Sequence, residues 1–83
     1  MDALTMLEIP LPRGSIGERV RAVRLARGLS QAELARRVKI SKNAMNQIEQ
    51  GTSPNPRANV MRRLAEVLEV PADYLLGVGE ITE

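Results

Sequence analysis

Between Ser30 and Gly51 the chain has room for two short helices joined by a tight turn. Ser30 and Glu33 form an S-x-x-E pattern: the serine oxygen takes the N3 amide and the glutamate reaches back to the serine amide. A helix is therefore expected from Gln31 to about Val38. Its inner face is Leu34, Ala35 and Val38, and Ala35 is small where a crossing helix approaches. Lys39-Ile40-Ser41 reads as the turn, and Ser41 as the N-cap of a second helix over 42–50 that stops at Gly51. That second helix puts Met45, Ile48 and Glu49 on one face. Lys42, Asn43, Asn46, Gln47 and Gln50 share the opposite one, at spacings of three and four.

The flanks carry the same punctuation. Ser15 and Glu18 repeat the capping pattern, so a preceding helix is expected over about 16–27, with Ile16, Val20 and Val23 inward. Gly28 can take the left-handed conformation that ends it, and Leu29 then folds back on its last turn. Residues 52–57 read as a polar loop, with Asn55 as the cap of a fourth helix and Pro56 in its first turn. Met61, Leu64, Ala65 and Leu68 form its inner face, Val70-Pro71 breaks it, and a short fifth helix runs from about Ala72 to Leu76, ending at Gly77. Pro10, Pro12 and Gly14 break any helix in residues 1–14. Yet Leu4, Met6, Leu7, Ile9 and Leu11 are apolar enough to pack on the domain or to pair with another subunit. The expected organisation is all-α: an arm over 1–14, a helical domain over 15–77 and a tail over 78–83.

Composition removes several classes of function. The 83 residues contain no cysteine and no histidine, so disulfides and the commonest catalytic bases, nucleophiles and zinc ligands are missing. The acids lie on different helices or in the ends, and neither an enzyme nor a cofactor or metal is expected. No apolar run approaches the roughly 18–20 residues that span a bilayer. The start carries no early positive charge, so the expectation is a cytoplasmic protein without a membrane partner. A single aromatic, Tyr74, disfavours base stacking of the kind used on single strands and RNA. Net charge is only +2, but all twelve basic residues fall between Arg13 and Arg63 against three acids, a local +9, with the ends at −7. A basic middle between acidic ends suits a polyanion, although a solvated, salt-bridged surface gives the same numbers.

In order along the chain, Arg24, GLSQAELA at 28–35, Met45, Ile48, Glu49, Gly51 and LAEVLEVPADYLL at 64–76 resemble the lambda-repressor-like family of helix-turn-helix regulators, the Cro/C1 or XRE type. The resemblance runs from about Ser15 to Gly77. It implies a compact five-helix domain whose second and third helices bind double-stranded DNA, the third in the major groove.

The resemblance also implies roles. Lys42, Asn43 and Gln47 match its base-reading positions, with Ala44 beside them. Asn and Gln can bond adenine N6 and N7, Lys can donate to guanine O6 and N7, and an alanine methyl can touch thymine. Gln31 matches a residue that meets a phosphate and braces a recognition-helix side chain, at a helix start that favours anions in any case. Asn46, on the same side of its helix, is assigned to a phosphate too. Thr52, Ser53, Asn55 and Arg57 match the loop that lies on the DNA backbone. Arg24 and Glu49 match a partly buried, structural ion pair.

Family members usually bind as twofold dimers, and Tyr74, Leu76, Val78 and the apolar arm are the candidate subunit contacts. The expected function is that of a stand-alone, bacterial or phage-encoded repressor on a pseudo-palindromic operator, active at the nucleoid. The rival is an antitoxin or anti-regulator that acts mainly by binding another protein. Two turn positions depart from the family pattern: Lys39 and Glu69 stand where glycine is usual. Lys39 is expected to keep the left-handed backbone, with its side chain in solvent.

Overall fold

The computed structural model describes residues 15–52 and 56–76, and these form five helices with no strand among them. They are α1 (Ile16–Ala26), α2 (Gln31–Val38), α3 (Lys42–Gln50), α4 (Ala58–Leu68) and α5 (Ala72–Leu76). The arm, Ser53, Asn55, Gly77, Val78 and the rest of the tail lie outside the described residues.

Serine starts three of the helices. Ser15 Oγ accepts the Glu18 amide at 3.3 Å while Glu18 Oε1 accepts the Ser15 amide at 3.0 Å. Ser30 and Glu33 repeat the exchange at 3.0 and 3.1 Å, and Ser41 Oγ takes the Ala44 amide at 2.9 Å. Each such cap contributes about 1 kcal/mol. The Ser30 amide also holds the Glu33 carboxyl below its ordinary pKa. A depressed carboxyl gives stability that is present at neutral pH and is lost as acid protonates it.

One device ends four helices. The amides of Leu29, Ile40, Thr52 and Val70 reach back five residues to the carbonyls of Arg24, Ala35, Gln47 and Ala65, at 3.0–3.1 Å. Each time the residue before them is left-handed: Gly28, Lys39, Gly51 and Glu69, with φ of 73°, 68°, 74° and 62°. This is the Schellman arrangement, and the apolar residue after it folds onto the core at Leu29, Ile40 and Val70. Lys39 thus holds the expected backbone, and it is exposed. A left-handed L-residue costs about 1–2 kcal/mol, while glycine loses roughly 0.5–1 kcal/mol through its freer unfolded chain. Lys39→Gly is accordingly expected to raise stability by about 0.5–1 kcal/mol in urea melts; a loss would mean that the lysine stem makes contacts in solution that offset the strain.

The core is apolar and contributed by every helix: Val20 and Val23, Leu34 and Val38, Met45, Leu64 and Leu68, and Leu75 are all at most 1% exposed. Ile16 sits at its edge, half-buried. α3 packs on α1 and α2, α2 also packs on α4, and α5 closes against α1 and α4. Two arginines fasten helix ends that the core alone leaves open. Arg27 donates to the Leu68 and Glu69 carbonyls at 2.8 and 3.3 Å, and Arg63 to the Val38 carbonyl at 2.8 Å. Both place positive charge where a helix dipole is negative.

The start of α4 differs from the sequence expectation. Arg57, not Asn55, holds the N-cap position, without a side-chain cap bond, and Pro56 precedes the helix instead of forming its first turn. The first helical bond runs from the Met61 amide to the Arg57 carbonyl at 2.9 Å. Pro56 and Met61 occupy the two positions of a hydrophobic staple and line the same apolar groove. Burial of Met61 and Leu64 sets this start, so the local Asn-Pro signal loses.

Candidate nucleic-acid interface

α3 is divided lengthwise. Met45, Ile48 and Glu49 are buried, whereas Lys42, Asn43, Gln47 and Gln50 are exposed and Ala44 and Asn46 are half-buried. The structure therefore brings Lys42, Asn43 and Gln47 together on one solvent face, with Ala44 at its margin. Three polar side chains of different hydrogen-bonding character on one helix face suit the edges of base pairs.

That face is held in place from behind. Arg24 on α1 forks onto Glu49, with Nε to Oε2 at 2.7 Å and Nη2 to Oε1 at 3.0 Å, and its Nη1 donates to the Leu29 carbonyl at 2.9 Å. The two side chains are 9% and 3% exposed, so the pair is buried. Gln31, the first residue of α2, donates from Nε2 to Glu49 Oε1 at 3.1 Å and to Asn46 Oδ1 at 3.3 Å. Three helices are thus tied at one point behind the exposed face. Asn46 is drawn toward α2 and away from Lys42, Asn43 and Gln47, while Gln31 braces α3.

The other expected contacts flank this face. Thr52 is exposed, and its amide closes the end of α3 on the Gln47 carbonyl. Arg57 is exposed just ahead of α4. Ser53 and Asn55 lie outside the described residues. At the start of α2 the Ser30 hydroxyl satisfies only the Glu33 amide, and the amides of Gln31 and Ala32 have no acceptor within the helix. Of the candidate subunit contacts, Leu76 is 46% exposed, Tyr74 is half-buried against the core, and Val78 lies outside the described residues.

The charge pattern reads differently once folded. Arg24, Arg27 and Arg63 are turned onto the protein's own oxygens, so the basic middle of the sequence overstates what an external polyanion meets. Arg36, Arg37, Lys39, Lys42 and Arg57 remain exposed on or beside α2 and α3 and ahead of α4. Sequence reasoning missed Arg27 and Arg63 because their partners lie 41 and 25 residues away. It also missed a polar cleft of about 350 Å³ lined by Arg21, Arg24, Gln31, Asn46, Glu49 and Gln50. Among the described residues no cluster of side chains suits a metal ion, and no helix is long and apolar enough to cross a membrane.

The helix-turn-helix domain family matches residues 15–75. The transcriptional regulator SinR of Bacillus licheniformis is 31% identical over 68 residues, which is 82% of this chain and 61% of SinR. The transcriptional regulator RamB of Mycobacterium tuberculosis is 44% identical over 59 residues, 71% of this chain but 12% of RamB. Among solved structures, the P22 c2 repressor in complex with a synthetic operator superposes with a TM-score of 0.71 at 33% identity, over 76% of this chain and 94% of that one. The family match over residues 15–75, these relatives and the superposition agree with one another, and the chain belongs to the lambda-repressor-like, Cro/C1-type family of helix-turn-helix regulators.

Proposed function

We propose that the chain is a sequence-specific, double-stranded-DNA-binding regulator of transcription, a repressor that reads its operator through α3 in the major groove. The observation that carries this reading is the exposed face of Lys42, Asn43 and Gln47, fixed from behind by the Arg24–Glu49–Gln31–Asn46 tie. A rigid frame under a polar face supports base readout because little order remains to be imposed on binding. The likeness to a repressor in complex with its operator supports the same reading. Asn43 and Gln47 are assigned to adenine edges, Lys42 to guanine, and Ala44 to a thymine methyl. Gln31, Asn46, Thr52, Ser53, Asn55 and Arg57 are assigned to the backbone, where contacts set register and carry no sequence information.

One such domain reads only a few base pairs, so a twofold dimer on a pseudo-palindromic operator completes the reading. Exposed Leu76, with Tyr74, Val78 and the arm, is the assigned contact surface. The test compares two variants against a chosen operator and a scrambled duplex. Gln47→Ala is expected to relax base preference at one or two positions. Arg57→Ala should weaken both duplexes alike and make the salt dependence shallower by about one unit of slope. Uniform scaling by both variants would refute the assignment of contacts.

A further inference from the structure

We infer that the polar cleft between α1 and α3 seats a phosphate of the DNA backbone, with Arg21 and Gln50 as its donors. The inference rests on the reading of the chain as a DNA-binding protein and adds to it a contact from α1, outside the helix-turn-helix itself.

The floor of the cleft is electrically closed. Glu49 Oε2 accepts from Arg24 Nε, and Glu49 Oε1 accepts from Arg24 Nη2 and Gln31 Nε2. The carboxylate is compensated by the guanidinium, and both its oxygens are occupied. Arg24 is 8% exposed and cannot turn outward without abandoning Glu49. Arg21 therefore gives the cleft its net positive sign. It is exposed one helical turn before Arg24, and among the described residues it has no ion-pair or hydrogen-bond partner.

In the DNA-free chain the Gln31 side chain gives no donor to the cleft. Its amide group has two hydrogens, and both are given inward, to Asn46 and Glu49. Only its backbone amide remains for an anion. The side-chain work at this edge then falls to Arg21 and to Gln50, which is exposed and lies on the stripe of α3 that carries Asn43 and Gln47. The cleft thus shares Gln50 with the reading face and Gln31 with the start of α2. A duplex seated on that face brings a phosphate to the cleft mouth. A guanidinium suits that ligand because its forked donors match two phosphate oxygens.

The experiment titrates the full chain with its selected operator and with a scrambled duplex at several salt concentrations. Arg21→Ala is expected to weaken both duplexes by the same factor, to leave their affinity ratio unchanged and to reduce the salt slope by about one unit. Arg21→Lys should retain the slope, and Gln50→Ala should lower affinity without changing it. Arg62→Ala removes another exposed charge, from the groove between α1, α4 and α5, and should leave the slope as it is. If the wild-type chain discriminates its operator but Arg21→Ala keeps the full slope, the inference fails and the wider reading stands. If Arg62→Ala lowers the slope as much as Arg21→Ala, the effect is one of net charge and the cleft has no special part. If the wild-type chain binds no duplex, both fall together. Thermal melts of each variant separate lost contact from lost fold.

Discussion

Replacing Arg24 with alanine is expected to cost the fold about 3–5 kcal/mol, because it leaves a buried carboxylate without its counter-charge. Glu49 has a side chain only 3% exposed, on the face of α3 that also buries Met45 and Ile48. Without Arg24 it keeps a single neutral donor, Gln31. Domains of this size have stabilities near the low end of the usual ~5–15 kcal/mol, so the variant should be largely unfolded at modest urea concentrations. The double variant Arg24→Met/Glu49→Leu should recover most of the loss, since an apolar pair of similar volume leaves no charge buried. Denaturation of the single and double variants checks both statements. A cost below about 1 kcal/mol for Arg24→Ala would mean that water reaches the pair in solution.

Gly17→Ala is expected to be nearly as damaging, and the sign is the informative part. At an exposed site in a helix, alanine gains about 1 kcal/mol over glycine. At position 17 an added Cβ collides with the Ile48 carbonyl oxygen and lies 2.8 Å from that of Glu49. These obstacles are backbone, so no rotamer change relieves them. α1 and α3 must separate, and Arg24 is then pulled off Glu49. Overpacking of this kind is put at the upper end of the usual range, a net loss of about 3 kcal/mol. For a domain of this length that lowers Tm by roughly 12–24 °C, readable by circular dichroism. A rise in Tm would show that α1 and α3 leave room in solution for the added methyl group.

The features legible in the sequence are those whose partners are close in the chain. Ser15 with Glu18 and Ser30 with Glu33 announce helix starts because the bonds they make span three residues. Gly28 and Gly51 announce ends for the same reason. The turn at Lys39-Ile40-Ser41 was legible from the Ser41 cap, but the left-handed backbone of Lys39 was legible only through the resemblance, because lysine does not advertise it. The Arg24–Glu49 pair came the same way, since nothing in a spacing of 25 residues specifies a contact. Arg27, Arg63 and the cleft at Arg21 depend on how helices cross, which local patterns do not encode. Gly17 is the clearest loss: within a helix a glycine reads as a weakness, and its value appears only when α3 is laid across it. At α4 the local signal pointed the wrong way, with Asn55-Pro56 resembling a cap and the burial of Met61 moving the start to Ala58.

The proposed function requires that α3 read base sequence from a face fixed by the folded frame. Selection of bound duplexes from a random pool by the full chain tests it most directly. Enrichment of one short motif in two symmetry-related copies, their centres about one helical turn of DNA apart, is expected. Recovery of duplexes that bind with full salt dependence but share no motif would contradict it.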